Sequence, residues 1–168
     1  MTIPVASAAI STKTVPAHGR RPTAKRVIKF CRAIRLDAIG RAMTKTIRCK
    51  WDRGEISLDV DEAGSGASVV LLPALSSIST RLEMHPLFDG LVPQFHVVTV
   101  DWPGFGGQAR PKEEWSPELL LAFLNWFLSH IVAPPHAIVA AGHAATYALY
   151  QAVLRPGTID RLVLVAPM

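Results

Sequence analysis

The residues with the clearest chemical potential lie at 140–147, Ala-Ala-Gly-His-Ala-Ala-Thr-Tyr, between an apolar run, "HAIVAAG", and a helical run, "YALYQAVL". A small residue, a spacer, a nucleophile, a spacer and a second small residue at a strand-to-helix turn form an elbow that lifts an attacking oxygen clear of the backbone. In the register Gly142-His143-Ala144-Ala145-Thr146, the attacking position is Ala144. A serine there would form a covalent acyl intermediate, and Asp or Cys would serve in its place, but a methyl group attacks nothing. Gly142, Ala144 and Ala145 have the small size a sharp turn needs, while Thr146 stands where the motif has its second glycine. Thr146 lies inside the first helical turn and His143 beside the centre, so both read as positional. Ser76, Ser77 and Ser79 belong to a different loop, where serines more often cap the following helix.

The elements that must position this turn alternate along the body of the chain. "TIRCKW" and "EISLDVDEAG" read as short strands, the second half-buried because Ile56, Leu58 and Val60 alternate with polar residues. "GSG" at 64–66 is a turn, and "ASVVLLPA" is a continuous apolar run of the kind a strand shows when both faces are covered. A helical segment near 79–92 leads to a second buried strand, "FHVVTVDW" at 95–102. Ser116-Pro117-Glu118 starts a helix with a cap, a first-turn proline and an acid at the positive end. Its apolar stripe is Leu120, Phe123, Leu124, Phe127, Leu128 and Ile131, and "APP" at 133–135 ends it. "HAIVAAG" and "RLVLVAP" (161–167) are third and fourth buried strands around a helix over 144–155, stopped by Arg155-Pro156-Gly157. Antiparallel strands followed by alternating strands and helices predict an α/β protein, with a mostly parallel sheet and helices on both faces. Ligands of such sheets bind beyond the carboxyl ends of the strands, here the loops 73–79, 101–111 and 142–146.

The ordered series "GSG-ASVVLLPA", "VVTVDWPGFGGQARP", "IVAAGHAATYAL" and "IDRLVLVAPM" resembles the α/β-hydrolase superfamily, in the branch of small-molecule esterases and lipases, over residues 45–168. The resemblance implies that fold as far as its sixth strand, and hydrolysis of an ester or related acyl bond by a serine nucleophile. It places the two oxyanion-hole amides at Ala145 and at Leu75, with Ser76 a further candidate; Pro73-Ala74 replaces the family's His-Gly in that loop. It makes Asp101 a structural residue of the Asp-x-x-Gly-x-Gly loop, in which Gln108 stands where a serine is frequent. It also implies an acid and then a histidine after the elbow. Every histidine here (His18, His85, His96, His130, His136 and His143) lies at or before 143, and Asp160 is the one carboxylate after Ala144. The expectation is a domain incomplete at its C-terminus and inactive as an esterase, or else a non-catalytic relative that binds through the same fold. An unpaired edge at 161–167 would invite a second copy or a partner chain.

The 12 Lys and Arg against one acid, Asp37, give residues 1–50 a charge of +11, whereas 51–168, with 6 basic and 12 acidic residues, sum to −6. The basic balance therefore belongs to an N-terminal extension, set at 1–44. Its first 25 residues read as disordered, and apolar positions at 27/28, 31, 34, 38/39 and 42/43 predict an amphipathic helix. That helix is a solvated lead-in, an organelle presequence or a membrane-surface segment within 25–48, which leaves cytoplasmic and organellar locations both open. No aromatic or groove-reading motif accompanies the charge, so nucleic acid is not an expected partner; an ester-type small molecule is. Cys31 and Cys49 have no metal or redox spacing, and no cofactor is implied.

Overall fold

The structure is a computed structural model that describes residues 31–33, 43–51, 54–106, 115–132, 134 and 136–168. Among these residues seven strands form one sheet: β1 (Cys31–Ala33), β2 (Met43–Trp51), β3 (Gly54–Ala63), β4 (Ser68–Leu72), β5 (His96–Val100), β6 (His136–Ala141) and β7 (Ile159–Val165). Their order is β1-β2-β3-β5-β4-β6-β7. The first three pairings are antiparallel, and β5-β4, β4-β6 and β6-β7 are parallel. A 3₁₀ turn (Arg81–Met84) runs into α1 (His85–Leu91); α2 (Pro117–His130) precedes β6, and α3 (Ala144–Leu154) separates β6 from β7.

The uninterrupted apolar run at 68–72 becomes the fully buried centre of the sheet, and alternation along it divides the core in two. Val70, Leu72, Val98, Val100, Ile138 and Ala140 face α2 and α3, while Val69, Leu71 and Val97 face Met84 and Phe88 of the 3₁₀ turn and α1. Helices thus cover both faces, as the alternation predicts. The α2 start is the expected one: the Ser116 hydroxyl accepts from the Leu119 amide at 3.3 Å, and Pro117 holds the first turn. Leu120, Phe123, Leu124, Phe127 and Leu128 are buried as expected, joined by Trp126, and Ile131 is half-buried.

Two expectations are corrected. The first is local: Cys31–Ala33 form a strand paired with Cys49–Ile47 in place of part of the expected helix over 27–43. The free edge of β2 offers these three residues backbone partners that a helical period cannot anticipate. The rest of the expected helix and the first 25 residues lie outside the described residues. The second correction concerns β7, which is the edge strand expected at 161–167 but is not buried on both faces. Val163 and Val165 are exposed, because β7 pairs with β6 alone among the described residues and α1 packs over β4 and β5, not over this end of the sheet. On the opposite face α3 turns Leu149, Tyr150, Val153 and Leu154 to the surface. No helix among the described residues is long and apolar enough to cross a membrane.

Candidate functional site

The loops after β4, β5 and β6 converge at the carboxyl ends of the parallel strands. β6 ends at Ala141, and Gly142 then takes φ of +53°, a left-handed conformation that glycine adopts without strain. His143 resumes a helical backbone, and Ala144 is already the first residue of α3. The sharp part of the turn is therefore Gly142. A Cβ built there would lie 3.2 Å from Ala74 Cβ and 3.5 Å from Met168 Cε, facing the loop after β4. Ala144 is fully buried in the core beneath α3, as are Ala145 and Ala148. The Ala144 methyl packs in that core, to which Leu75 of the loop after β4 also contributes.

The Ala145 amide is engaged within the turn, donating to Gly142 O at 3.1 Å, and the Thr146 amide donates to His143 O at 3.1 Å. No hydrogen bond among the described residues takes the amide of His143. Across the gap, Leu75 is half-buried against the core, and the Ala74 amide donates to Glu83 Oε1 at 3.0 Å. Ser76 braces its own loop: its carbonyl accepts from the Gly106 amide at 3.4 Å and its hydroxyl from the Ile78 amide at 3.3 Å. Thr146 Oγ1 donates to Met168 O at 2.9 Å, and the exposed His143 leaves the turn without entering the loop cluster's packing.

An ionic cluster holds these loops in place. Arg81 donates from Nε to Asp61 Oδ2 at 2.9 Å and from Nη1 to Asp101 Oδ2 at 2.8 Å, and its backbone amide reaches Asp101 Oδ1 at 2.6 Å. Asp61 also accepts from Thr44 at 2.6 Å and lies 3.0 Å from His85 Nε2. Both carboxylates are 2% exposed. Burial works against the Arg81 cation, but Asp61, Asp101 and Asp59 outweigh it and hold its pKa above the usual value. Asp101 thus ties the loop after β5 to the 3₁₀ turn and, through Arg81, to β3. Trp102, next in that loop, donates from Nε1 to Pro73 O at 2.9 Å and packs against Phe123 and Tyr147. Burial, with the nearby charge of Glu118, raises the Tyr147 hydroxyl pKa.

Two residues that organise the site escape a reading for nucleophiles. Arg81 is the one basic residue between 54 and 109, in a stretch holding Asp59, Asp61, Glu62 and Asp101, and that imbalance is its sequence signal. Gly142 has a signal too, because Ala140-x-Gly142-x-Ala144 repeats the small-x-centre-x-small pattern two residues earlier. No group of three or more potential metal ligands occurs among the described residues.

No family model matches the chain, and no curated protein matches it. Solved structures do. A serine hydrolase involved in carbazole degradation is 22% identical with a TM-score of 0.62, over 67% of this chain and 45% of its own. A meta-cleavage product hydrolase, CumD, is 19% identical with a TM-score of 0.61, over 67% of this chain and 42% of its own. A haloalkane dehalogenase of Agrobacterium tumefaciens is 18% identical with a TM-score of 0.61, over 83% of this chain and 42% of its own. The chain has the α/β-hydrolase fold and spans less than half the length of each of these structures.

Proposed function

We propose that this chain carries the strand-end site of an α/β-hydrolase fold in a form that binds rather than forms a covalent intermediate. The observation that supports it most is the position of the turn. Its apex is Gly142, which has no side chain, and the Ala144 methyl is packed in the core. The nucleophile's place therefore moves from Ala144 to Gly142, and the amide following it becomes that of His143 rather than Ala145. What remains is the His143 backbone donor, with the Leu75 loop opposite. A carbonyl or ester oxygen can be held by such amides, but no Oγ stands ready to attack it. Esters are the ligand class by resemblance to the fold's hydrolases.

Wild-type protein should show no covalent labelling by a fluorophosphonate, and saturable hydrolysis of p-nitrophenyl butyrate with a labelled residue would overturn the non-covalent reading. A second reading is favoured by the exposed Val163 and Val165 on β7. In it the chain supplies one part of a larger hydrolase-fold unit, and another polypeptide segment covers β7. Light scattering that shows a monodisperse monomer at high concentration would count against this.

A further inference from the structure

A cavity of about 100 Å³ opens at the far end of β6, between the C-terminal half of α2 and the last turn of α3. His136 begins β6 there, whereas Gly142 follows its other end, so the cavity is separated from the loop cluster by the length of a six-residue strand, about 20 Å. Its walls include Gln151, 2% exposed, and Leu128, 3% exposed. Gln151 Nε2 donates to Asn125 Oδ1 at 3.1 Å, but among the described residues Gln151 Oε1 has no hydrogen-bond partner. A buried amide oxygen left unmatched is costly, and a polar cavity beside it is where a donor would come from. On the exposed rim stand Pro134 and Arg155. Arg155 forms no ion pair among the described residues.

These features specify complementary chemistry. The inner acceptor requires an O–H or N–H, and the rim guanidinium favours a carboxylate, for which its fork of donors is well shaped. Leu128 and Pro134 accept a short hydrocarbon stretch between them. An ammonium at the inner position would be buried without a counter-charge, so a neutral hydroxyl is the cheaper donor. A cavity of roughly 150 Å³ holds a six-carbon ring, so in proportion this one encloses about four heavy atoms and leaves a fifth at its open rim. We propose that it binds a short hydroxycarboxylate, with the hydroxyl donating to Gln151 Oε1 and the carboxylate facing Arg155.

Glycolate titrated into the isotopically labelled full chain tests this through the Gln151 side-chain amide resonances. Saturable shifts in the millimolar range are expected, ordinary for a ligand of this size. Acetate, which lacks the hydroxyl, and ethylene glycol, which lacks the charge, should each bind about tenfold or more weakly, as should glycolate to Arg155→Gln, whose change lies on the exposed rim. Gln151→Met should lose binding as well, with folding checked by circular dichroism. The proposal fails if glycolate gives no saturable shift up to about 100 mM, which would mean that water alone fills the cavity, or if acetate matches glycolate. It also fails if Arg155→Gln binds like the wild type. These outcomes are independent of the elbow, because none of the measured groups touches it.

Discussion

Replacing Arg81 with methionine isolates the ionic cluster that fixes the loops. Methionine keeps most of the side-chain volume and removes two charge-assisted bonds, to Asp61 at 2.9 Å and to Asp101 at 2.8 Å. Each such bond contributes about 1.5–3 kcal/mol, and breaking a buried pair by deleting one partner costs about 3–5 kcal/mol, because the remaining charge is stranded. The stranding here is partial. Asp61 keeps Thr44 and His85, and Asp101 keeps the backbone amide at position 81. The expected loss is thus near the lower bound, about 3 kcal/mol. With a urea slope of about 1.5 kcal/mol/M, within the range for small proteins, the unfolding midpoint should fall by about 2 M. Tryptophan fluorescence is a direct probe, since Trp102 sits in the tethered loop with its indole bonded to Pro73 O. Asp101→Asn in the Arg81→Met background should cost far less than Asp101→Asn alone, because the stranded charge goes with it. A loss under about 1 kcal/mol for Arg81→Met, or strict additivity in the double variant, would refute the claim that Arg81 joins β3 to the strand-end loops.

Glu62 gives the pH-dependent case. Burial raises its pKa, but hydrogen bonds and charge from Lys45 and His96 outweigh that and leave it lowered. A depressed carboxylate stabilises the fold above its unfolded pKa and loses that contribution as pH falls through the folded one. Glu62→Gln should therefore destabilise by about 1 kcal/mol near neutrality, and the gap from wild type should close below about pH 4.5; a constant gap from pH 7 to 3 would show that charge is not the cause. Ser116→Ala should lower stability by about 1 kcal/mol through loss of the α2 cap, read as a shift in the thermal midpoint that Ser116→Asp largely avoids.

The parts of the fold written in short-range pattern were legible in the sequence. "SVVLL" at 68–72 has no polar face to turn outward, and it became the strand buried on both sides. Ser116-Pro117-Glu118 contains its cap within four residues, and the helix starts there. What was not legible depends on neighbours remote in sequence. "LVLV" at 162–165 is as apolar as a central strand, yet its burial is decided by what lies beside β7, not by its own residues. Cys31–Ala33 follow the free edge of β2 against a helix-like spacing. At the elbow, Gly142 and Ala144 are both small and two apart, so residue types alone fit the motif in two registers. The backbone, left-handed at 142 and helical from 143, adds a distinction that the residue types do not carry. The site's electrostatics were half visible, since Asp101 reads as structural from its loop, while its partner is 20 residues earlier.

The bare apex and the bare edge are mechanically connected. The Gly142 amide donates to Val165 O at 2.9 Å, so the turn's left-handed residue is anchored to the last residue of β7. One step later Ala166 takes φ of +44°, costly for a residue with a Cβ, and the chain swings back so that Met168 O meets Thr146 Oγ1 and the Met168 Cε methyl approaches Gly142. The two exposed valines of β7 stand beside this anchor, at 163 and 165. A strand or helix laid along them would act on the carbonyl that orients Gly142 and on the segment that overhangs it. A neighbour along β7 is therefore expected to displace the strand-end loops as well, through the bonds of Gly142 to Val165 and of Thr146 to Met168.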